Sequence, residues 1–190
     1  MYEEYRKIIT VCKHNYSSYF FQKASIKIRI RDLGNVKTGK TPSTKVHDNF
    51  GGTVLWATPK DLSSKYILQT ERSLTKKGLS SGVEVPKDSV LVCCVGSFGK
   101  IGISQENMSC NQQINFIYNC NFDHEYIYYL IENHAKKIES FAQDGVVKIL
   151  PLEQFKNIPI TIHTDEDIKK FVPIMKLFDD LIDEIEQLNW

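Results

Sequence analysis

A short apolar run followed by a glycine turn constrains this fold more than any other feature of the sequence. Residues 90–95 are apolar throughout, which suits one buried strand and is too short for a helix. Gly96 and Gly99 bracket a tight turn, and residues 101–103 alternate isoleucine with glycine as a second short strand would. We therefore expect two strands joined by this turn in a β-rich domain.

The residues around this turn indicate ligand binding rather than catalysis. Lys100 stands at its mouth, and three amides at residues 111–113 precede another β-rich segment, residues 114–118. Amides beside a basic glycine turn suit the reading of polar edges, whereas no nucleophile–base pair is evident. A nucleotide-binding P-loop is disfavoured because Ile101 replaces the Ser or Thr that should follow the lysine. The Gly-x-x-Gly clamp of RNA-binding modules needs flanking helices, so a plain hairpin turn remains the alternative.

Bulk properties indicate one ordinary globular domain, or one domain with an appended element, in 190 residues. We expect no membrane span, because no apolar run approaches about 18 residues, and no secretory signal, because the charged N-terminus lacks an apolar core. The cysteines are odd in number and lack a Cys-x-x-Cys pair, so we expect reduced, mostly buried thiols, no bound metal or other cofactor, and a cytoplasmic location. They are Cys12, Cys93, Cys94, Cys110 and Cys120.

The net charge of +1 conceals an uneven distribution of charge along the chain. Residues 1–100 contain 17 Lys or Arg against 8 Asp or Glu, whereas residues 101–190 contain 7 against 15. Such asymmetry favours a basic part that binds a polyanion. Two solvated surfaces that merely differ in charge are the alternative.

The first third of the chain combines helical, strand and loop patterns. Apolar and tyrosine residues at steps of three and four predict a helix or helical arm over residues 1–25, and strict alternation predicts a strand over residues 26–31. Residues 33–43 have two glycines, two lysines and several hydroxyls, typical of a phosphate-contacting loop and equally of an exposed polar loop. Residues 53–57 are predicted to form a strand, with Trp56 in the core or beside that loop.

The middle of the chain is predicted to be irregular before it becomes helical. Residues 63–87 are predicted to form loops, with a short helix near Leu74. Residues 123–141 predict one helix, on whose apolar face His134 is most simply a core residue. A helical turn at residues 150–155 and an edge strand at residues 158–162 follow.

The last segment has the clearest helical pattern. Thr164 and Asp167 form a start resembling a capping box. A heptad-like seam then predicts a coiled-coil-type helix that packs on a partner helix, while docking on its own domain is the alternative. The seam residues are Ile168, Phe171, Met175, Phe178, Ile182 and Ile185, with Asn189 at the next position.

Taken together, these patterns resemble the target recognition domain of the specificity subunit of type I restriction–modification enzymes. The resemblance extends from about Leu33 to Ile160, and the C-terminal helix stands where the family has its conserved spacer helix. The sequence departs from the family at residues 161–166, where a proline-rich tract and a Glu-Gln pair are usual. The matching landmarks are residues 33–34, 39–43, 56–62, 88–91, 96–100, 111–112, the region of Gly145 and residues 152–160.

The resemblance implies an α+β protein with a β-rich recognition domain and a long C-terminal helix. We predict a target recognition domain over residues 1–163, whose first 25 residues are a helical arm, and a spacer and dimerisation helix over residues 164–190. A full subunit of this family has two domains and two helices, so the chain resembles half of one. The seam residues would then form a dimer interface with a second copy or an equivalent half.

A non-catalytic role in DNA recognition is what the resemblance implies for function. The chain would read half of a bipartite site on double-stranded DNA and direct methyltransferase subunits, joined by a translocating restriction subunit. The alternatives are a recognition-domain fragment of a fused restriction–modification enzyme and a coiled-coil interaction module that reads no DNA. The expected DNA-binding residues are Lys37, Lys40, Thr41, Ser43, Lys60, Ser97, Phe98, Lys100, Asn111, Gln112 and Gln113.

Overall fold

The chain folds into two compact units in a computed structural model that describes residues 2–143 and 145–188. One unit combines the N-terminal segment up to Ile28 with the C-terminal segment from Thr161, and the other extends from Arg29 to Ile160. The first is helical and the second is β-rich. This division groups the N-terminal arm with the C-terminal helix, whereas the sequence analysis assigned the arm to the recognition domain.

Two antiparallel helices form most of the helical unit. Helix α1 covers Tyr2–Phe21 and helix α6 covers Asp165–Gln187. Arg6 near the start of α1 pairs with Glu186 near the end of α6 at 2.8 Å, and Lys13 pairs with Asp179. The helix expected in residues 1–25 is therefore present, and it packs along the long C-terminal helix.

Aromatic rings fill the interface between these two helices. The Phe171 ring of α6 is fully buried, with its centroid 4.2 Å from Phe20 and 5.8 Å from Tyr16 of α1. His163 stacks on Phe20 at 3.7 Å, and its Nε2–H donates to the Phe20 carbonyl at 2.8 Å. Burial lowers the pKa of His163, which favours the neutral imidazole.

This packing bears on the seam residues of α6, which were expected to pack on a partner helix. Ile168, Phe171 and Met175 are instead buried within the chain. Phe178, Ile182 and Ile185 are half-buried, and Phe178 lies 6.3 Å from Tyr16 of α1. Asn189 lies outside the described residues.

The predicted start of α6 is confirmed by its hydrogen bonds. The Thr164 hydroxyl accepts from the Asp167 amide, and it donates to the Asp167 carboxylate at 2.7 Å. Pro173 lies inside the helix on an exposed position. Its ring lacks the N–H that would complete one helical hydrogen bond, a feature that the seam pattern did not anticipate.

Three sheets and several short helices make up the rest of the structure. The strands are β1 Ile26–Arg29, β2 Asn35–Thr38, β3 Phe50–Ala57, β4 Tyr66–Ile67, β5 Ser73–Leu74, β6 Glu84–Val85, β7 Val90–Cys93, β8 Ile101–Ser104, β9 Met108–Cys110, β10 Ile114–Tyr118 and β11 Pro159–Ile162. The largest sheet has the order β2-β10-β7-β8-β4, the second has the order β5-β3-β9-β6, and β1 pairs with β11. The short helices are α2 Lys76–Ser81, α3 His124–Asn133, α4 Ala135–Ser140 and α5 Leu152–Asn157, with 3₁₀ turns at Ile30–Asp32 and His47–Asn49.

The predicted hairpin lies at the centre of the largest sheet. Strand β7 pairs antiparallel with β8 on one side and with β10 on the other, and all four of its residues are buried. Gly96 and Gly99 have φ values of 71° and 84°, which side chains with a Cβ rarely adopt. The prediction of a strand, a glycine turn and a second strand is confirmed.

The core of the β-rich unit joins the two larger sheets. Leu91 and Cys93 of β7 and Phe116 of β10 belong to one buried apolar cluster together with Met108 of β9 and Ile67 of β4. The cysteines are free, and burial raises the pKa of the Cys94 thiol to about 12. The buried thiols Cys93, Cys94 and Cys110 therefore behave as small apolar side chains.

A buried ion pair connects α3 to Lys65, the residue directly before β4. The Lys65 ammonium pairs with the Glu125 carboxylate, which is 3% exposed. Tyr66 donates its hydroxyl to Glu125 at 2.7 Å, and Lys65 lies 4.7 Å from the centroid of the Tyr129 ring. Both charges are thus compensated where burial would otherwise make them costly.

Three predictions about local structure were wrong. Residues 33–43 are not loop throughout, because β2 pairs with β10 over Asn35–Thr38. Residues 63–87 contain three short strands where loops were expected, although the short helix expected near Leu74 is present at Lys76–Ser81. The helix expected over residues 123–141 breaks at His134, whose ring Nδ1 bonds the Leu130 carbonyl at 2.9 Å; burial also lowers the pKa of this histidine.

Replacing Phe171 by Ala should destabilise the helical unit. Removing a fully buried phenylalanine leaves a cavity between α1 and α6, and we expect the free energy of unfolding to fall by about 3–5 kcal/mol. Tyr19→Ala is the matched control, because Tyr19 is an aromatic residue of α1 that is 59% exposed. Urea denaturation followed by far-UV circular dichroism measures both variants. Equal losses would contradict the packing of α1 on α6.

Candidate nucleic-acid interface

The expected DNA-binding residues come from four segments that are far apart in the sequence. They lie in residues 37–43, at Lys60, in the glycine turn at residues 97–100, and in the amide run at residues 111–113. Backbone and side-chain hydrogen bonds connect these segments within the β-rich unit. The connections are described in turn below.

The first connection joins the lysine loop to the amide run. Gly39 donates its N–H to the Ile114 carbonyl and Lys40 donates to the Cys110 carbonyl, each at 2.9 Å. The Thr41 hydroxyl donates to the side-chain oxygen of Gln112. A Cβ at Gly39 would lie 2.2 Å from the Asn111 carbonyl oxygen, so only glycine permits this approach.

The second connection places the segment after β3 beside the same amides. Asn111 donates its N–H to the Ala57 carbonyl at 2.9 Å. The Asp61 carboxylate holds the following turn, because it accepts from both the amide and the hydroxyl of Thr58 at 2.8 Å. Its other oxygen accepts from the Glu71 amide at 2.7 Å. Lys60 is therefore carried on a turn with a defined backbone.

The third connection brings in the glycine turn. Lys100 donates from Nζ to the Pro59 carbonyl at 3.0 Å, which ties this turn to the segment that carries Lys60. On its other side, Gly96 donates to the Lys148 carbonyl at 3.0 Å. The segment around Lys148 includes Val146, whose side chain is fully exposed.

The expected residues differ in what they present to a ligand. Asn111 is buried, whereas Thr41, Phe98, Lys100 and Gln113 are half-buried. Exposed side chains are the ones free to meet a macromolecule, and they are Lys37, Lys40, Ser43, Lys60, Ser97 and Gln112.

Asn111 has internal partners for both ends of its amide. Its Nδ2 donates to the Gln113 side-chain oxygen at 2.9 Å, and its Oδ1 accepts from the Gln113 backbone N–H at 3.0 Å. The side chain thus stabilises the turn that carries its neighbours. Of the three amides, Gln112 is the one that is exposed.

The net positive charge of the β-rich unit is smaller than that of the first half of the sequence. From Arg29 to Ile160 the sequence has 16 Lys or Arg against 13 Asp or Glu, an excess of three positive charges. Most of the acidic excess of the C-terminal half belongs to α6, in the helical unit. Attraction of a polyanion therefore depends on where individual lysines lie rather than on a strong overall field.

The sequence analysis missed Arg72, which lies in the stretch interpreted as loop. The centre of its guanidinium is 4.3 Å from the centroid of the Phe50 ring and 5.2 Å from that of Trp56. The sequence carries no local signal for this ring contact, because the pairing of β5 with β3 joins residues that are about twenty positions apart. Trp56 itself is 3% exposed, in agreement with the expectation of a core residue.

Neither a metal centre nor a membrane-spanning helix is found in the part of the chain that the structure describes. Within residues 2–143 and 145–188, no three or more His, Cys, Asp or Glu side chains are grouped so as to hold a metal ion. Over the same residues, no helix is both long and apolar enough to span a bilayer. An open cleft of about 650 Å³ lies in the loop from Lys60 to Glu71 and is lined by charged, hydroxyl and amide side chains together with Tyr66, Ile67 and Leu68.

Replacing Gly39 by Ala should destabilise the interface by forcing its backbones apart. The new methyl group would meet the carbonyl oxygens of Cys110 and Asn111, which cannot rotate away as a side chain would. We expect a loss of about 1–3 kcal/mol in the free energy of unfolding. Thr44→Ala, an exposed change in the same loop, should alter it by less than about 0.5 kcal/mol. Urea denaturation distinguishes the two, and equal stabilities would refute the close approach.

Comparison with known proteins identifies the family. Residues 23–189 match the family model of the type I restriction modification DNA specificity domain. The chain is 29% identical over 169 residues to the type I restriction enzyme MjaIX specificity subunit of Methanocaldococcus jannaschii, a match that covers 85% of this chain and 39% of that protein.

Solved structures share the fold at low sequence identity. The HsdS subunit from Thermoanaerobacter tengcongensis superposes with a TM-score of 0.69 at 8% identity, over 99% of this chain and 49% of that one. The S subunit from M. genitalium superposes with a TM-score of 0.68 at 13% identity, over 98% and 51% of the two chains. The chain therefore spans about half of each solved subunit, and the α+β prediction is confirmed. Because the family model covers residues 23–189, the chain belongs to the type I restriction–modification DNA specificity family.

Proposed function

We propose that this chain recognises one half of a bipartite site on double-stranded DNA. The observation that carries the proposal is the joining of the lysine loop, the Lys60 turn, the glycine turn and the amide run by hydrogen bonds around Gly39 and Asn111. Membership of a DNA specificity family supports the same conclusion. A coiled-coil module without DNA binding would not need three sequence-distant basic segments brought together.

The exposed lysines and the amides have different roles in this proposal. Lys37, Lys40 and Lys60 hold backbone phosphates, which fixes the position of the domain on the duplex without reading its sequence. Gln112 faces a base edge, where a glutamine amide can pair with both N6 and N7 of adenine. The oxygen of Gln113 accepts from Asn111, so Gln113 offers its Nε2 donors alone. Asn111 holds the turn that presents them.

The chain leaves the chemistry to other subunits in this proposal. Methyltransferase subunits of the same complex would flip and methylate adenine, and a translocating restriction subunit would cleave. The isolated chain should therefore transfer no methyl group to DNA until methyltransferase subunits are added. Methyl transfer by the purified chain alone would instead favour the alternative of a fused enzyme fragment.

Removing two exposed lysines should weaken DNA binding for all sequences alike. We expect Lys40→Ala combined with Lys60→Ala to reduce affinity and to lower the slope of log K against log salt by about 0.9 for each lost phosphate contact. Both ammonium groups are exposed, and Lys60 has only a long 3.5 Å contact with Glu71. Fluorescence anisotropy on a labelled duplex across a salt series measures both quantities.

The matched control removes two lysines elsewhere in the same unit. Lys136 and Lys137 are exposed on α4, so Lys136→Ala with Lys137→Ala makes an equal change in net charge. The control should bind as the wild type does. If both double variants bind as the wild type does, the assignment of phosphate contacts to the lysine loop and the Lys60 turn is wrong.

We also propose that the chain pairs with a second copy or an equivalent half through its helical unit. Exposed apolar side chains on both helices of this unit support the arrangement. Because α1 covers much of the predicted seam, the pairing would use other side chains. A second stripe on α6 steps by three, four and seven residues and is exposed; its members are Ile174, Leu177, Leu181 and Leu188.

The exposed face of α1 has a comparable apolar character. Tyr5, Ile8 and Val11 step by three and are 54–58% exposed. An apolar surface of this extent on both helices suits a helix-to-helix interface. Two-fold pairing would place identical recognition domains on an inverted, interrupted repeat.

Charged substitutions in the second stripe should separate the pair. We expect the wild type to have about twice the 21.9 kDa chain mass in light scattering, and Leu177→Asp with Leu181→Asp to have the single-chain mass. A control pair, Lys169→Asp with Lys176→Asp, changes exposed polar positions of the same helix. A wild type that is monomeric at tens of micromolar would contradict pairing through identical halves.

A further inference from the structure

Arg72 is held on an aromatic platform at the surface of the β-rich unit. Its guanidinium centre lies 4.3 Å from the Phe50 ring centroid and 5.2 Å from that of Trp56. The two rings belong to β3, with centroids 5.7 Å apart and planes at 74°. Because Trp56 is buried, the platform is part of the folded core and does not move independently.

The backbone of Arg72 is also fixed to the same strand. Its carbonyl accepts from the Trp56 N–H at 3.3 Å and from the Thr70 hydroxyl at 2.7 Å. The next residue, Ser73, begins β5, which pairs with β3. Both ends of the arginine are therefore restrained, so little conformational freedom remains to be lost when it binds a ligand.

The donors of this guanidinium remain available. Among the described residues, its side chain makes no hydrogen bond and no ion pair, and its contacts are with the two rings. Its neighbour Glu71 is in contact with Lys60 instead. A guanidinium that lies against a ring keeps its in-plane N–H groups free, and five donors in a rigid fork match two adjacent acceptors.

The hydrogen-bond ladder locates Arg72 close to the amide run. Trp56 of β3 pairs with Ser109 of β9, and Ala57 accepts the N–H of Asn111. From β5 across β3 to β9 is two strand spacings, or about 10 Å. Arg72 therefore lies about two strand spacings from Ser109, in the strand that leads directly into the amide run.

We infer that Arg72 reads a guanine base in the half-site through its O6 and N7 atoms. This inference rests on the proposed function and adds a residue that determines specificity. Guanine presents two adjacent acceptors in the major groove, and a bidentate arginine is the commonest specific contact to them. Flexible lysines suffice for phosphates, whereas a fixed planar fork with free donors suits a base edge.

Selection from a random duplex pool tests this assignment. The wild type should select a G·C pair at a position where Arg72→Lys and Arg72→Gln select no base, with the remaining positions unchanged. We expect a loss of about 10- to 100-fold in discrimination at that position. Arg72→Lys keeps the charge but lacks the planar fork, so it separates base reading from simple charge attraction.

Lys76→Gln is the control, because Lys76 is an exposed cation four residues further along the chain. It should leave every selected base unchanged. Phe50→Leu removes part of the platform while keeping Arg72, and it should weaken selection of the same G·C pair and no other. If thermal unfolding shows that the Arg72 variants are poorly folded, Phe50→Leu still tests the assignment.

Three outcomes would overturn the inference. Full selectivity in Arg72→Lys is one. An equal loss of affinity for every sequence in the Arg72 variants is the second, because it would make Arg72 a phosphate ligand. A selected half-site without a G·C pair would also exclude it. In each of these cases the wild type still selects a sequence, so DNA recognition stands; a wild type that selects no sequence would refute the proposed function itself.

Discussion

The close approach of two backbones at Gly39 determines how the candidate interface is built. A Cβ at this position would lie 2.2 Å from the Asn111 carbonyl oxygen and 2.5 Å from that of Cys110. Because no side chain intervenes, Lys40 can bond directly to Cys110, and the lysine loop lies beside the amide run. Asn111 in turn bonds Ala57, at the end of β3. One missing methyl group thus permits contacts among loops that are separated by up to seventy residues.

Stability and binding belong to different residues in the β-rich unit. The buried strand β7 has partners on both sides and supplies apolar side chains to the core. The loops outside it are held by polar contacts instead, such as those of Asp61 with Thr58 and of Asn111 with Gln113. Side chains that hold the loops have partners within the unit, whereas their neighbours Lys40, Lys60 and Gln112 are exposed. This separation allows exposed residues to vary in specificity without disturbing the core.

The helical unit also uses much of its apolar surface for contacts within the chain. Phe171 packs against Phe20 and Tyr16, so the stripe that first suggested pairing between chains is largely used within one chain. The surface left for a second half is the other stripe of α6, around Leu177 and Leu181, both of which are exposed. If the chain pairs as we propose, the intrachain helix pair would be the unit that associates. The two apolar stripes of α6 would then serve two different contacts.

The sequence by itself determined those elements whose pattern is local. Four successive apolar residues defined β7, two glycines defined its turn, and Thr164 marked the start of α6, because strand burial, positive φ and capping each depend on neighbouring residues. The family could also be inferred, since its landmarks recur in order. Tertiary structure alone decided that α1 covers α6, that Asn35–Thr38 forms a strand, and that the Asn111 amide is used internally. Each of these depends on contacts between residues that are distant in sequence, for which periodicity has no signal. The same holds for Arg72, whose aromatic platform exists only because β5 pairs with β3.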